Sequence, residues 1–128
     1  MELRRLKTGL VNSINAVVLN NGDCPAEAFL MLLERNDKAS YKALAHIIVQ
    51  HADYGALRNR EKSKVIAGRG NLLEFKTRNG DRLIYFYLPG HRTVLTHGFH
   101  KGAVASAEYN RAEKIRDQYR REVGNGKG

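Results

Sequence analysis

Residues 94–102, VLTHGFHKG, carry an apolar strand into two histidines and a lysine, with glycines at 98 and 102 breaking the run. Val94 and Leu95 favour burial, whereas His97, His100 and Lys101 are costly to bury without partners. Upstream, Lys76 and Arg82 are set among apolar neighbours in LLEFKTR and DRLIYFYL. Fixed cations beside one histidine suit a phosphodiester. Arginine and lysine stabilise the extra charge of a pentavalent phosphorane, and histidine exchanges a proton near neutral pH. With RNA the 2′-hydroxyl is a built-in nucleophile, so the chemistry needs neither a metal nor a cofactor. Tyr85 and Phe99 are candidates to stack on bases.

Two hairpins decide whether these groups meet. A three-residue Arg78-Asn79-Gly80 loop with Gly80 left-handed sets Thr77 opposite Asp81, Lys76 opposite Arg82, Phe75 opposite Leu83 and Leu73 opposite Tyr85. A two-residue turn would place Arg82 beside Leu73 and Phe75 and waste the binary pattern. A tight Pro89-Gly90 turn then sets Leu88 opposite His91 and Arg82 opposite His97, and alternation carries Phe99 and Lys101 to the same side. Lys76, Arg82, His97 and Lys101 are therefore expected together on an open sheet face opposite the helices.

The supporting elements follow from period and punctuation. Residues 1–13 are a basic, weakly periodic extension. Residues 14–23 read as a short strand entering a turn at Asn21-Gly22. Residues 24–37 read as a helix with Pro25 in its first turn, Glu27 near the positive end of the dipole and Phe29, Leu30 and Leu33 on one face. Residues 40–55 read as a second helix, with Ser40 as N-cap, Tyr41, Leu44, Ala45 and Ile48 as its stripe and Gly55 at its end. The strongly basic stretch 56–71 reads as a loop. Residues 106–122 read as a helix capped by Ser106, with Ala112, Ile115 and Tyr119 at helical spacing and Gly124 past its end. The expectation is an α+β fold: an antiparallel sheet of a short N-terminal strand plus a three-strand meander, with two N-terminal helices and a C-terminal helix on one face. One domain is expected over 1–128, with a core at 14–122 and extensions at 1–13 and 123–128.

Composition narrows the partners. There are 22 Lys and Arg against 13 Asp and Glu, a net charge of +9. A small domain this basic often binds polyanions. No apolar run approaches the roughly 18 residues of a membrane span, and the first ten residues lack the apolar core of a secretory signal. A cytoplasmic protein with no membrane contact is expected. The single cysteine, Cys24, allows no internal disulfide and no cysteine-based zinc site. His91, His97 and His100 do not form a ligand set, because alternation sends His97 and His100 to opposite faces. GRGN at 68–71 lacks the Gly-Lys-Ser/Thr of a phosphate-binding loop, and no serine sits in a Gly-x-Ser-x-Gly turn.

The stretch LLEFKTRNGDRLIYFYLPGHRTVLTHGFHKG resembles the strand region of RelE-superfamily toxins, specifically the HigB-like, phage-derived branch of type II toxin–antitoxin modules. That branch shows a Glu-Leu-Arg strand, an Arg-hydrophobic-hydrophobic-Tyr-Phe strand and a hydrophobic run into His-Gly-Phe-x-Lys. The matching residues are Glu74-Phe75-Lys76, Arg82-Leu83-Ile84-Tyr85-Phe86 and His97-Gly98-Phe99-His100-Lys101. GDCPAEAFLMLLER is similar to the family's Gly-x-x-Pro start of the first helix, and the resemblance spans roughly 14–120. Lys76 stands where the family usually has arginine, and GAVASA follows Lys101 where the family continues with lysine and Thr-Pro.

The resemblance implies a RelE-like fold, ribosome-associated mRNA cleavage and a cognate antitoxin, often of helix-turn-helix type. On that reading Arg82 and Lys76 hold the scissile phosphate, His97 exchanges the proton and Lys101 neutralises charge. Lys62, Lys64 and Arg69 contact the RNA backbone. The alternative is a non-enzymatic binding module of the same fold, acting on a protein target or on nucleic acid.

Overall fold

DRLIYFYL is apolar at nearly every position, the pattern of a strand buried on both faces rather than one. The computed structural model describes residues 1–56 and 62–124; 57–61 of the expected loop and 125–128 of the expected extension lie outside the described residues. The elements are β1 (Glu2–Thr8), β2 (Ser13–Val18), α1 (Pro25–Asn36), α2 (Lys38–Tyr54), β3 (Ser63–Val65), β4 (Leu73–Lys76), β5 (Asp81–Leu88), β6 (Arg92–His100) and α3 (Ala105–Val123). The strands form one sheet in the order β1-β2-β6-β5-β4-β3, with β2 and β6 parallel and the other neighbours antiparallel.

The expected four-stranded antiparallel sheet is therefore corrected to a six-stranded mixed one. The N-terminal extension supplies β1, an edge strand. Its Leu3 packs with the apolar cluster on one side of the sheet and its Leu6 with the cluster on the other. Their three-residue spacing, with a register shift between Arg5 and Lys7, hid the two-residue period. The expected loop 56–71 contains β3, which pairs Ser63 with Phe75 and Lys64 with Glu74.

The placement of the C-terminal helix is also corrected. α1 and α2 pack on one face, where Ala26, Leu44, Ile47 and Ile48 meet Ile14, Phe75, Leu83 and Tyr85. α3 packs on the opposite face, where Ala112, Ile115 and Tyr119 meet Val17, Ile84, Phe86 and Val94. Phe86 and Ile84 are fully buried. Without a helix over them they would expose a broad apolar patch to water, so the second face has to be covered.

Two caps differ from expectation. Asp37, not Ser40, caps α2: its carboxylate accepts from Ser40 N at 3.1 Å, and Ser40 Oγ donates back at 2.9 Å. α3 starts one residue before Ser106, with Val104 at its N-cap and no side-chain cap bond. Gly55 and Gly124 end their helices as expected, with φ of 90° and 88°.

The β4–β5 register matches the three-residue loop, with Lys76 opposite Arg82 and Gly80 at φ 92°. The β5–β6 register does not match the tight turn. Pro89, Gly90 and His91 form a three-residue loop with Gly90 and His91 at positive φ, so Leu88 pairs with Arg92. A second shift between Ile84 and Tyr85 places His97 opposite Ile84 and Phe99 opposite Arg82. Two one-residue shifts preserve parity. His97 keeps the expected face but moves two residues along it.

Candidate functional site

The pairings lay two rows of side chains across the sheet beneath α3. One runs Lys64, Glu74, Ile84, His97; the next runs Lys76, Arg82, Phe99. Lys76 and Arg82 are direct cross-strand neighbours, a like-charge pair that is unfavourable in isolation and favours a bound anion. α3 then closes over the first row. His97 Nε2 donates to Glu108 Oε2 at 2.7 Å, and the Tyr109 hydroxyl donates to Glu74 Oε2 at 2.8 Å. Lys64 Nζ lies 3.7 Å from the other oxygen of the buried Glu74 carboxylate. Arg69 bonds Asn110, pairs with Glu113 at 3.6 Å and sets its guanidinium 5.8 Å from the centre of the Tyr109 ring. The Phe99 and Tyr109 rings meet edge to face at 6.1 Å.

The expected open, cationic face is thus corrected in part. His97 is only 1% exposed, while the Glu108 side chain is 25% exposed and forms the solvent-facing end of the pair. Burial pushes the His97 imidazole below its usual value and Arg111 acts in the same direction, both against the pull of Glu108. At neutral pH the ring is therefore neutral and donates its Nε2 hydrogen to a carboxylate. Burial and the neighbouring Glu74 push the Tyr109 hydroxyl up to about 12, which keeps it a donor.

The remaining candidates divide. Lys76 and Arg82 are half-buried at the margin of the face. Lys101 is exposed and lies across the Gly80 turn: its amide donates to Gly80 O at 2.8 Å, and a Cβ added at Gly80 would come within 2.3 Å of Lys101 Cβ. Lys62 directly precedes β3, and its carbonyl accepts from Lys76 N of β4 at 2.8 Å. Phe99 is buried among the residues under α3, and Tyr85 lies in the opposite core with its hydroxyl 2.7 Å from Ser63 Oγ. Neither aromatic ring offers an open face to a base. Both fill core space, Phe99 beneath α3 and Tyr85 between α2 and Ser63 of β3.

Gly98 has a steric role. A Cβ there would lie 2.2 Å from Phe29 Cδ2, so α1 rests directly on the β6 backbone between His97 and Phe99. His100, on the other face from His97, bonds Asp81 at 2.6 Å.

Sequence reasoning missed Glu108 and Tyr109. The signal was present: Tyr109, Ala112, Ile115 and Tyr119 form a helical stripe, and a second apolar face on β5 needed a helix to cover it. Among the described residues no group of three or more His, Cys, Asp and Glu is placed to hold a metal ion, and no helix is long and apolar enough to cross a membrane.

The fold and this face define a basic α+β protein that gathers lysines and arginines around a histidine–carboxylate pair. The chain belongs to the phage derived protein Gp49-like family (DUF891), whose profile matches residues 31–120. This is a family of toxin–antitoxin toxins related to the RelE/HigB superfamily. No curated protein matches the chain.

Proposed function

We propose that the chain is the toxin of a phage-derived, HigB-like toxin–antitoxin module and that it acts as an endoribonuclease on mRNA at the ribosome. The observation that carries this reading is the Lys76–Arg82 cross-strand pair one row from the His97–Glu108 pair. Arg82 and Lys76 hold the non-bridging oxygens of one phosphodiester and stabilise the charge that grows on them. The His97–Glu108 pair accepts the proton of the 2′-hydroxyl through its exposed carboxylate end, with His97 orienting Glu108 from below. The P–O2′ bond forms, the P–O5′ bond breaks, and the departing O5′ takes a proton from solvent. The products are a 2′,3′-cyclic phosphate and a 5′-hydroxyl. Lys101, Lys64 and Arg69 add positive potential around the strand, and a cognate antitoxin, of helix-turn-helix type, neutralises the toxin in the cytoplasm.

Expression in bacteria tests this directly. Wild type should arrest growth and cut mRNA, Arg82→Ala should lower cleavage by about 10²–10³, and His97→Ala or Glu108→Ala by about 10²–10⁴. A wild type that is harmless and leaves RNA intact overturns the enzyme reading. The near-complete burial of His97 favours a second reading, a non-enzymatic module on the same face. In that case charge reversal at Lys62 and Lys64 abolishes activity, while His97→Gln leaves it intact.

A further inference from the structure

A cleft of about 460 Å³ opens between α2 and the end of β4, where Lys62 leads into β3. Its floor is Ala43, Ile47 and Thr77; its walls are His46, Lys62, Lys76 and Arg78. Among the described residues no carboxylate lines it. Among the described residues, no ion pair or side-chain hydrogen bond engages Lys62, Lys76 or Arg78, whereas Lys64 and Arg69 are each paired with an acid.

Three cations without an acidic partner border this one concavity and raise the positive potential in and around it. One backbone and one side-chain hydrogen bond hold the walls in place. Lys76 N donates to Lys62 O at 2.8 Å, and Asn79 Nδ2 donates to Ser40 Oγ at 2.8 Å, tying the Arg78 turn to α2. Lys76 also faces Arg82 across the sheet, so the cleft continues the cationic row of the candidate site over the sheet edge.

We propose that this cleft binds the phosphodiester backbone of the RNA strand flanking the scissile phosphate, so that the strand runs from Arg82 past Lys76 into the cleft. Lys62 and Arg78 contact one or two flanking phosphates, and His46 lies against the sugar over the apolar floor. The volume falls within the range of about 300–1,000 Å³ usual for ligand sites. This rests on the RNA-cleaving reading above, but it is separable from catalysis.

The probe is a fluorescein-labelled 12-mer RNA with 2′-O-methyl groups throughout, which lacks the nucleophile and cannot be cut. Its binding to the full chain is followed by anisotropy over a salt series. Arg78→Gln and Lys62→Gln should each weaken binding several-fold at low salt and flatten the slope of log K against log salt by about 0.7, one phosphate contact apiece. Arg121→Gln, the same loss of charge on the exposed end of α3, should leave the slope unchanged. Loss of cleavage in wild type with the slopes as expected would sink the enzyme reading and keep the cleft. Unchanged slopes in Arg78→Gln and Lys62→Gln, or weakened binding to polyglutamate alone, would overturn the cleft as an RNA site.

Discussion

Gly98 lies within β6 where α1 packs on it, and replacing it with alanine measures that contact. A Cβ at this position would stand 2.2 Å from Phe29 Cδ2, 2.5 Å from Cγ and 2.7 Å from Cε2. Non-bonded carbons rest at about 3.5–4.0 Å, so the ring has to retreat by roughly 1 Å or more, taking α1 with it or leaving its rotamer. Gly98 is not in the left-handed region, so the conflict is one of space alone. Overpacking of this kind costs about 1–3 kcal/mol, a fall in Tm of about 4–12 °C for a domain of this size. The assay is thermal unfolding of wild type, Gly98→Ala, Phe29→Ala and the double variant. Phe29→Ala removes the ring that Cβ would strike, so Gly98→Ala should be nearly neutral in that background. The coupling in the cycle should then be about 1–3 kcal/mol. A Gly98→Ala protein as stable as wild type, or an equal loss with and without Phe29, would refute the steric account.

Tyr109→Phe removes the donor to the buried Glu74 carboxylate, whose other oxygen has no hydrogen bond. It should destabilise the protein by about 1–3 kcal/mol, and a loss below ~0.3 kcal/mol in urea unfolding would show that Lys64 suffices. Burial pushes His51 from 6.5 to about 4, with Thr93 Oγ1 2.8 Å from its Nε2. The unfolded chain takes up that proton first, so the His51 contribution is constant above pH 6.5 and is lost as pH falls from 6.5 towards 4, by up to about 1.4 kcal/mol per pH unit. Urea unfolding at pH 7 and pH 5 should show a smaller drop in His51→Gln; parallel drops in both proteins would assign the acid sensitivity elsewhere.

What the sequence determined by itself was local. Asn79-Gly80 and the alternation of Leu73, Phe75, Leu83 and Tyr85 dictate the β4–β5 register, because a glycine at positive φ and a single buried face leave one pairing. The same pairing puts Lys76 beside Arg82, and the parity of His97 survived because two one-residue shifts in the same direction add to two. Gly55 and Gly124 end their helices for the same local reason.

Only the tertiary structure decided the rest. Whether β5 has one covered face or two depends on where α3 packs, and its stripe of Ala112, Ile115 and Tyr119 would fit either side of an apolar sheet. That choice turned His97 from an exposed group into one buried against Glu108, brought Tyr109 to Glu74 and closed Phe99 into the core beneath α3, while α2 and Ser63 of β3 closed Tyr85 into the other core. β1 was illegible because an edge strand bends at its bulge and sends Leu3 and Leu6 to opposite faces. Local periodicity records which side chains prefer burial; it does not record which partner buries them, and the chemistry of His97 depends on that partner.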